Sequence, residues 1–440
     1  MSPLCESFLA AEQLNRMEAF YPLHARVCEE CFLVQVEEFV SPQEIFTEYA
    51  YFSSYADSWV EHMRRYTEMI SDRLGLGAKS FVVEVASNDG YLLQHFVRKE
   101  IPVLGIEPAA NVARVATEKG IPTRVAFFGE ALARDLAAEG KQADLICGAN
   151  VLAQVPKPND FVRGLKQLLK PTGVVTIEFP HLMRLMAENQ FDTIYHEHFS
   201  YFSFLSAETL FQRNGLVLFD VEELPTHGGS LRIYARHSED RSRPVTERAQ
   251  GLRQREIDAG LLHLETYAEF DEQVKETKRK LLDFLIGARR AGKRIAGYGA
   301  PGKGNTLLNY CGIRTDFLEF TVDRSSYKQG KFLPGMYAYG SVLIERPKVR
   351  AVPMSAVTQI GNQTYCYLVV GGKAVRTAVH TGISDGSWVE VTGKLVRSGQ
   401  SAGTPDGTWK PFDGTEAVIA SDLSELSDGD TVTVGVEPGH

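Results

Sequence analysis

Long apolar runs are missing from this chain, and so is a basic leader followed by an apolar stretch. The first twenty residues, MSPLCESFLAAEQLNRMEAF, already carry Glu6, Glu12, Arg16 and Glu18. That pattern suits neither a secretory signal nor a membrane span, so the expected compartment is the cytoplasm, with no membrane partner. Cysteine is scarce: six residues among 440, at 5, 28, 31, 147, 311 and 366. Their scatter suits reduced thiols rather than a disulfide framework. A basic excess is absent too, with 47 Lys and Arg against 56 Asp and Glu and a net charge of -9. This excludes a general nucleic-acid binder, which needs cations to displace counterions from phosphates. What remains is ordinary globular composition, 44% hydrophobic and 23% charged, enough for two or three domains with their own cores.

The chain changes texture three times. Residues 1–70 are aromatic-rich and irregular, carry CEEC at 28–31, and lead into a helical pattern through Leu74; they read as a small domain or lid. Residues 71–240 alternate short apolar strands with amphipathic helices, which predicts a parallel sheet covered by helices and closed by two antiparallel strands. Residues 241–340 give a charged helical connector, then a second strand-turn-helix, RIAGYGAPGKGNTLLNYCGI. Residues 341–440 turn to valine, threonine and glycine in alternating runs such as SWVEVTGKLV, an all-β tail with hairpin turns. The fold class expected is therefore α/β, a Rossmann-like lobe plus a second, truncated one, with a β-rich tail.

FVVEVASNDGYLL reads as strand, tight turn and helix start, with the skeleton Glu84-x-Ala86-x-Asn88-x-Gly90. Small residues let a backbone approach a ligand, and the helix start offers free N–H groups. The next strand ends in GIEP, which puts Glu107 where a carboxylate accepts hydrogen bonds from ribose hydroxyls. A nucleoside ligand follows, either a nicotinamide cofactor or S-adenosylmethionine. VASNDG lacks the G-x-G-x-x-G run that a pyrophosphate needs. LLKPTGVVTIEFP then supplies a helix end, a Pro/Gly turn and a fifth strand, the order found in class I methyltransferases, so S-adenosylmethionine is favoured over a dehydrogenase cofactor.

FDTIYHEHFSYFS, residues 191–203, crowds Tyr195, His196, Glu197 and His198 among aromatics. Ionisable groups near a core must be paired, bonded or neutralised. Adjacent positions cannot all face one metal, so a histidine base with an orienting carboxylate fits better than a zinc set. A polar knot joining two elements is the alternative.

EYAYFSSYADSWVEH, EVASNDGYLL, GIEPAANVA, IYHEHFSYFS, THGGSLR and GYGAPGKGNTLLNYCGI, followed by VDRSSYKQGKFLPG, occur in that order. Together they resemble the nucleotide-sugar C-methyltransferases that methylate C-3 of 4-keto deoxysugars, over roughly residues 3–335. The resemblance implies an N-terminal zinc domain, a methyltransferase lobe and a C-terminal Rossmann-like lobe around a thymidine-diphosphate sugar, in a chain expected to act as a monomer. It implies that His198 is the base that creates an enolate, with Glu197 orienting it and Tyr195 and Tyr49 holding the sugar and its oxyanion. Glu84, Ala86, Asn88, Gly90, Glu107 and Asn150 would serve the cofactor. Gly302, Lys303, Gly304, Asn305 and Thr306, with Tyr327 and Lys328, would serve the nucleotide.

Three departures qualify that transfer. The chain begins after the family's upstream cysteine pair, leaving Cys28 and Cys31 with only Cys5 and His24 as conceivable further zinc ligands; two free thiols are the simpler expectation. Gln154 stands where the family carries a histidine, and glutamine can donate to an oxyanion but cannot shuttle a proton. After about Gly335 the family's closing strands give way to a tail that resembles the β-rich region of efflux-pump periplasmic adaptors. The rival readings are a relic that binds nucleotide or S-adenosylmethionine without turnover, and a transport-adaptor fusion.

Overall fold

The computed structural model describes residues 1–5, 7–14, 16–46, 52–323, 328, 330, 331, 333, 335, 349–360, 363–384, 388–397, 407–420, 423 and 426–432. The chain divides into two units, Met1–Val342 and Leu343–His440.

In the first unit, β1 (Ala25–Val27) and β2 (Val34–Val36) precede a short α1 (Pro42–Phe46) and the long α2 (Asp57–Leu74). Helix α2 ends as its sequence dictates, at Gly75 in the left-handed region with φ 64°. The alternating part follows: β3 (Val82–Val85), α3 (Leu93–Val97), β4 (Val103–Glu107), α4 (Ala110–Glu118), β5 (Thr123–Val125), α5 (Glu130–Ala138), β6 (Ala143–Ala149), α6 (Pro158–Leu168) and β7 (Leu169–Pro180). Then come α7 (Leu182–Ala187), β8 (Ser200–Tyr201), α8 (Phe204–Arg213), β9 (Leu216–Leu224) and β10 (Ser230–His237). The main sheet has the order β5-β4-β3-β6-β7-β10-β9, parallel from β5 to β7 and antiparallel at β10 and β9. This is the Rossmann-like sheet of class I methyltransferases, with the antiparallel finish expected from the sequence.

The strands are buried on both faces, which is why they read as nearly continuous apolar runs. Val83, Val85, Ile106, Ile146 and Val175 pack on one side with α5, α6 and α8; Val82, Val103, Leu145 and Val174 pack on the other with α2 and α3. One expectation needs amendment. Pro171 and Gly173 do not form a turn before the fifth strand; β7 runs through them as a bulge, with Ala143 opposite Leu169 but Leu145 opposite Val174. A Cβ on Gly173 would stand 2.9 Å from the Ala143 carbonyl, so the close approach of the two strands requires glycine here.

Helices α9 (Glu247–Asp258) and α10 (Leu264–Arg290) lead to β11 (Ala296–Tyr298), α11 (Gly302–Cys311) and β12 (Phe320–Val322). The two strands pair in parallel, a small β-α-β unit with its own apolar cluster around Leu285, Ile313 and Leu318. Strand β8 joins β1 and β2 in a separate sheet.

The second unit is antiparallel throughout: β13 (Ala351–Pro353), β14 (Val357–Ile360), β15 (Gln363–Val370), β16 (Lys373–Ser384), β17 (Trp388–Arg397) and β18 (Gly407–Pro411). Its core holds Val352, Cys366, Leu368, Val379, Val391 and Phe412. Among the described residues no helix is long and apolar enough to cross a membrane.

Candidate active site

The carboxyl ends of β3, β4 and β6 form one wall. After β3 the backbone enters the left-handed region at Ala86 (φ 58°), Asn88 (φ 48°) and Gly90 (φ 80°), and after β6 at Asn150 (φ 57°). Such conformations are strained for residues with a Cβ and gather where a ligand is cradled. Glu107, at the end of β4, is buried and accepts the Asn88 and Ala109 amide N–H groups at 2.9 Å each. Burial raises its pKa and those two donors oppose the rise. A carboxylate has about four acceptor positions, so two remain for ribose hydroxyls. Glu84 is fully buried on β3, and burial drives its pKa well up, with Tyr91 acting the other way. The buried Ser87 Oγ, Asp89 Oδ1 and Asn150 Oδ1 have no protein partner. Orphaned polar atoms around a left-handed turn beside an acidic strand end fit an adenosyl amino acid such as S-adenosylmethionine.

The opposite wall is the histidine stretch, and the first forty residues hold it in place. Strand β2 pairs with β8 directly after it, with Val34 opposite Tyr201. His196 Nε2 lies 3.0 Å from the Pro22 carbonyl, and the Cys5 thiol donates to Glu197 Oε1 at 3.4 Å. Adjacent residues thus face different ways. His196 serves the N-terminal segment, and Glu197 faces Cys5. His198 is buried beside Tyr195, whose hydroxyl is 3.3 Å from His198 Nε2. Burial, then the charges of His227 and Lys303, push the His198 pKa down to about 4, while a backbone hydrogen bond to Thr193 resists. The local orienting contacts on His198 are therefore Tyr195 and Thr193. Gln154 sits in the turn after β6; the carbonyl of its neighbour Ala153 accepts the Phe199 N–H at 2.8 Å, which brings that turn against the histidine stretch.

Two further elements complete the cleft. The start of α11 carries Gly302, Lys303, Gly304, Asn305 and Thr306; the Thr306 hydroxyl donates to the Ile194 carbonyl at 3.3 Å, and the Lys303 charge is felt by Asp192, His198 and His227. Asn305 is buried with its Nδ2 unpartnered. Lys328 donates to the Ala300 carbonyl at 2.7 Å. Tyr49 and Tyr327 lie outside the described residues.

His227, in the Thr-His-Gly-Gly corner between β9 and β10, was not singled out from sequence, although THGGSLR was among the family motifs. Its Nε2 is 2.9 Å from Asn150 Nδ2, and its ring meets Trp59 edge to face at 5.2 Å. The same corner is fastened through Thr226 to the buried Glu178, which also takes His62 at 3.0 Å and Arg232 at 2.9 Å. Those donors hold the Glu178 carboxyl below its usual range against its burial.

No group of three or more His, Cys, Asp or Glu among the described residues could hold a metal. Among the described residues, Cys28 and Cys31 are a pair without the two further ligands that structural zinc requires, and Cys5 is engaged with Glu197 instead. The residues present do not fit a closed zinc site.

Comparison with known proteins agrees with the geometry of the first unit. A methyltransferase domain matches residues 59–221, a C-methyltransferase C-terminal domain matches 225–340, and a proposed zinc binding domain matches 1–46. The C-methyltransferase NovU of Streptomyces niveus is 35% identical over 336 residues, covering 76% of this chain and 79% of NovU. The ubiquinone biosynthesis O-methyltransferase of Roseobacter denitrificans is 31% identical over 96 residues, 21% of this chain and 38% of that enzyme. Among solved structures, the magnesium protoporphyrin IX methyltransferase of Synechocystis with bound S-adenosylmethionine aligns at 14% identity over 41% of this chain and 81% of that one, with a TM-score of 0.30. The chain belongs to the C-methyltransferase family and is an S-adenosylmethionine-dependent C-methyltransferase.

Proposed function

We propose that this enzyme works in the cytoplasm, as a single chain, on a nucleotide-linked 4-ketosugar and methylates the carbon beside the ketone, C-3. The observation that carries the reading is the convergence of an uncharged histidine, His198, with Tyr195, His227 and Lys303. A carbon next to a carbonyl is acidic enough to lose its proton to such a base. His198 takes that proton, the C–H electron pair becomes the C-3 to C-4 double bond, and the carbonyl electrons move onto the oxygen. The nucleophilic carbon then forms its bond to a methyl group. S-adenosylmethionine supplies that methyl from a sulfonium, whose sulfur keeps the electrons of the broken bond.

The low pKa of His198 keeps it neutral and ready at pH 7. An anionic substrate beside it offsets the repulsion from Lys303, so the base strengthens on binding. Lys303 and the free amides at the start of α11 suit the diphosphate. Glu107 and the left-handed turns suit the cofactor, while Tyr195 and Thr193 hold the base.

The test is incubation with S-adenosylmethionine and a thymidine-diphosphate 4-ketosugar, with mass spectrometry and NMR of the product. A new carbon-bound methyl at C-3 is expected. Cofactor binding without methylation of any ketosugar would sink the substrate assignment and leave the enzyme class standing.

A further inference from the structure

We infer that His227 is a second catalytic group of this site: as a neutral imidazole it donates a hydrogen bond from Nδ1 to the oxygen on which the enolate charge develops. The inference rests on the ketosugar reading above.

The backbone at His227 is left-handed, φ 53° and ψ 31°, followed by Gly228 and Gly229 at φ 81° and 113°. A side chain held in such a conformation persists only where its surroundings over-determine it. Three anchors do so here. Thr226 donates to Glu178 at 2.9 Å, Gln190 donates to the Gly228 carbonyl at 2.8 Å, and the His181 amide donates to the Gly229 carbonyl at 3.0 Å.

The ring is then oriented by Asn150. An amide nitrogen can only donate, so the 2.9 Å contact from Asn150 Nδ2 makes His227 Nε2 the acceptor. A neutral imidazole with Nε2 unprotonated carries its proton on Nδ1. Asn150 is itself left-handed, at the end of β6 beside the cofactor turn, so one residue connects the cofactor wall to this donor. Trp59 holds the ring from the side.

The charged and titratable groups facing His227 are Glu178 and Lys303, with the imidazoles of His62 and His198. Burial comes first in keeping it neutral; Glu178 opposes, and Lys303 and His62 assist. Residue 227 is exposed as a whole, unlike the buried His198, while its ring is packed against Trp59 and Asn150, and that partial enclosure is what disfavours its charged form. Two histidines of one cleft thus divide the work. His198 removes the proton, and His227 keeps its own while stabilising the oxyanion, as a neutral donor matched to developing charge should. Gln154 can add a donor but no proton-transfer group at this end.

The experiment follows loss of the C-3 proton signal of a thymidine-diphosphate 4-ketosugar in D2O without cofactor, then methyl transfer with it, for the full chain. His227→Phe is expected to keep S-adenosylmethionine binding and to slow exchange and methylation together, by about 10²–10³-fold. His227→Gln, whose amide can donate, should recover most of that loss. Exchange at the wild-type rate in His227→Phe overturns the inference. Failure of the wild-type protein itself to exchange or methylate overturns the ketosugar reading instead, and the catalytic role with it. Should the Phe variant not fold, ¹⁵N-histidine long-range NMR of the wild type decides: a proton on His227 Nδ1 is expected, and one on Nε2 refutes the assignment.

Discussion

His198 shows how much one buried ionisable residue can determine. Its folded pKa of about 4 lies below the 6.5 of a free histidine, so the unfolded chain binds more protons between those values. Stability is full above pH 6.5 and falls as the pH drops toward 4. At pH 5 the loss attributable to this residue is about 2 kcal/mol, and it approaches about 3 kcal/mol at lower pH. His196 and His227, also depressed, act in the same direction. Urea denaturation of wild type and His198→Gln at pH 7 and pH 5 measures the difference; equal pH sensitivity would show that the imidazole is not held neutral. With His198 as the proposed base, the same substitution should lower methylation about 10²–10⁴-fold at pH 7 while cofactor binding stays. The residues of this stretch were legible in the sequence as a chemical site, because Tyr195, His196, Glu197 and His198 stand together. Their division of labour was not. Which neighbour Glu197 meets depends on Cys5, separated from it by 192 positions, and local spacing carries no trace of that contact.

The elements around the site differ in how openly they announce themselves. Alternating apolar strands and amphipathic helices predict the β3 to β7 alternation because burial on both faces imposes that pattern. Ala86, Asn88 and Gly90 are readable as a turn because small and amide residues tolerate φ above zero. The bulge at Pro171 and Gly173 was misread, since the same residues signal either a turn or a bulge. His227 and Asn150 meet across 77 positions, through the sheet order that inserts β10 beside β7, so no local motif exposes the pair. At Gly90 the turn gives a direct test. A Cβ there would lie 2.3 Å from Ile121 Cδ1, on a backbone at φ 80°, so Gly90→Ala should destabilise by about 1–3 kcal/mol and weaken S-adenosylmethionine binding, both readable by denaturation and calorimetry. The start of α11 gives another. Lys303→Gln removes a cation that depresses His198; the acid limb of kcat/KM should move to higher pH, and KM for the nucleotide sugar should rise about ten-fold. An unmoved acid limb would separate Lys303 from the base.

At the scale of the whole molecule, a net charge of -9 would have to coexist with the anionic nucleotide sugar proposed as substrate. Lys303, whose charge reaches His198, would offset this locally, because a short-range field outweighs distant charge that salt screens within about 10 Å. Every described candidate residue and all three matched family segments lie in the unit Met1–Val342. The unit Leu343–His440 contributes none of them and packs its own apolar residues around Cys366 and Val379. A protein ending at Val342 should therefore bind S-adenosylmethionine with the affinity of the full chain and transfer methyl at the same rate. Titration calorimetry and the methylation assay on both lengths make the comparison. Loss of cofactor binding in the shortened protein would mean that the β-rich unit supports the fold of the first, whereas retained binding with lost turnover would assign it a part in the substrate side of the reaction.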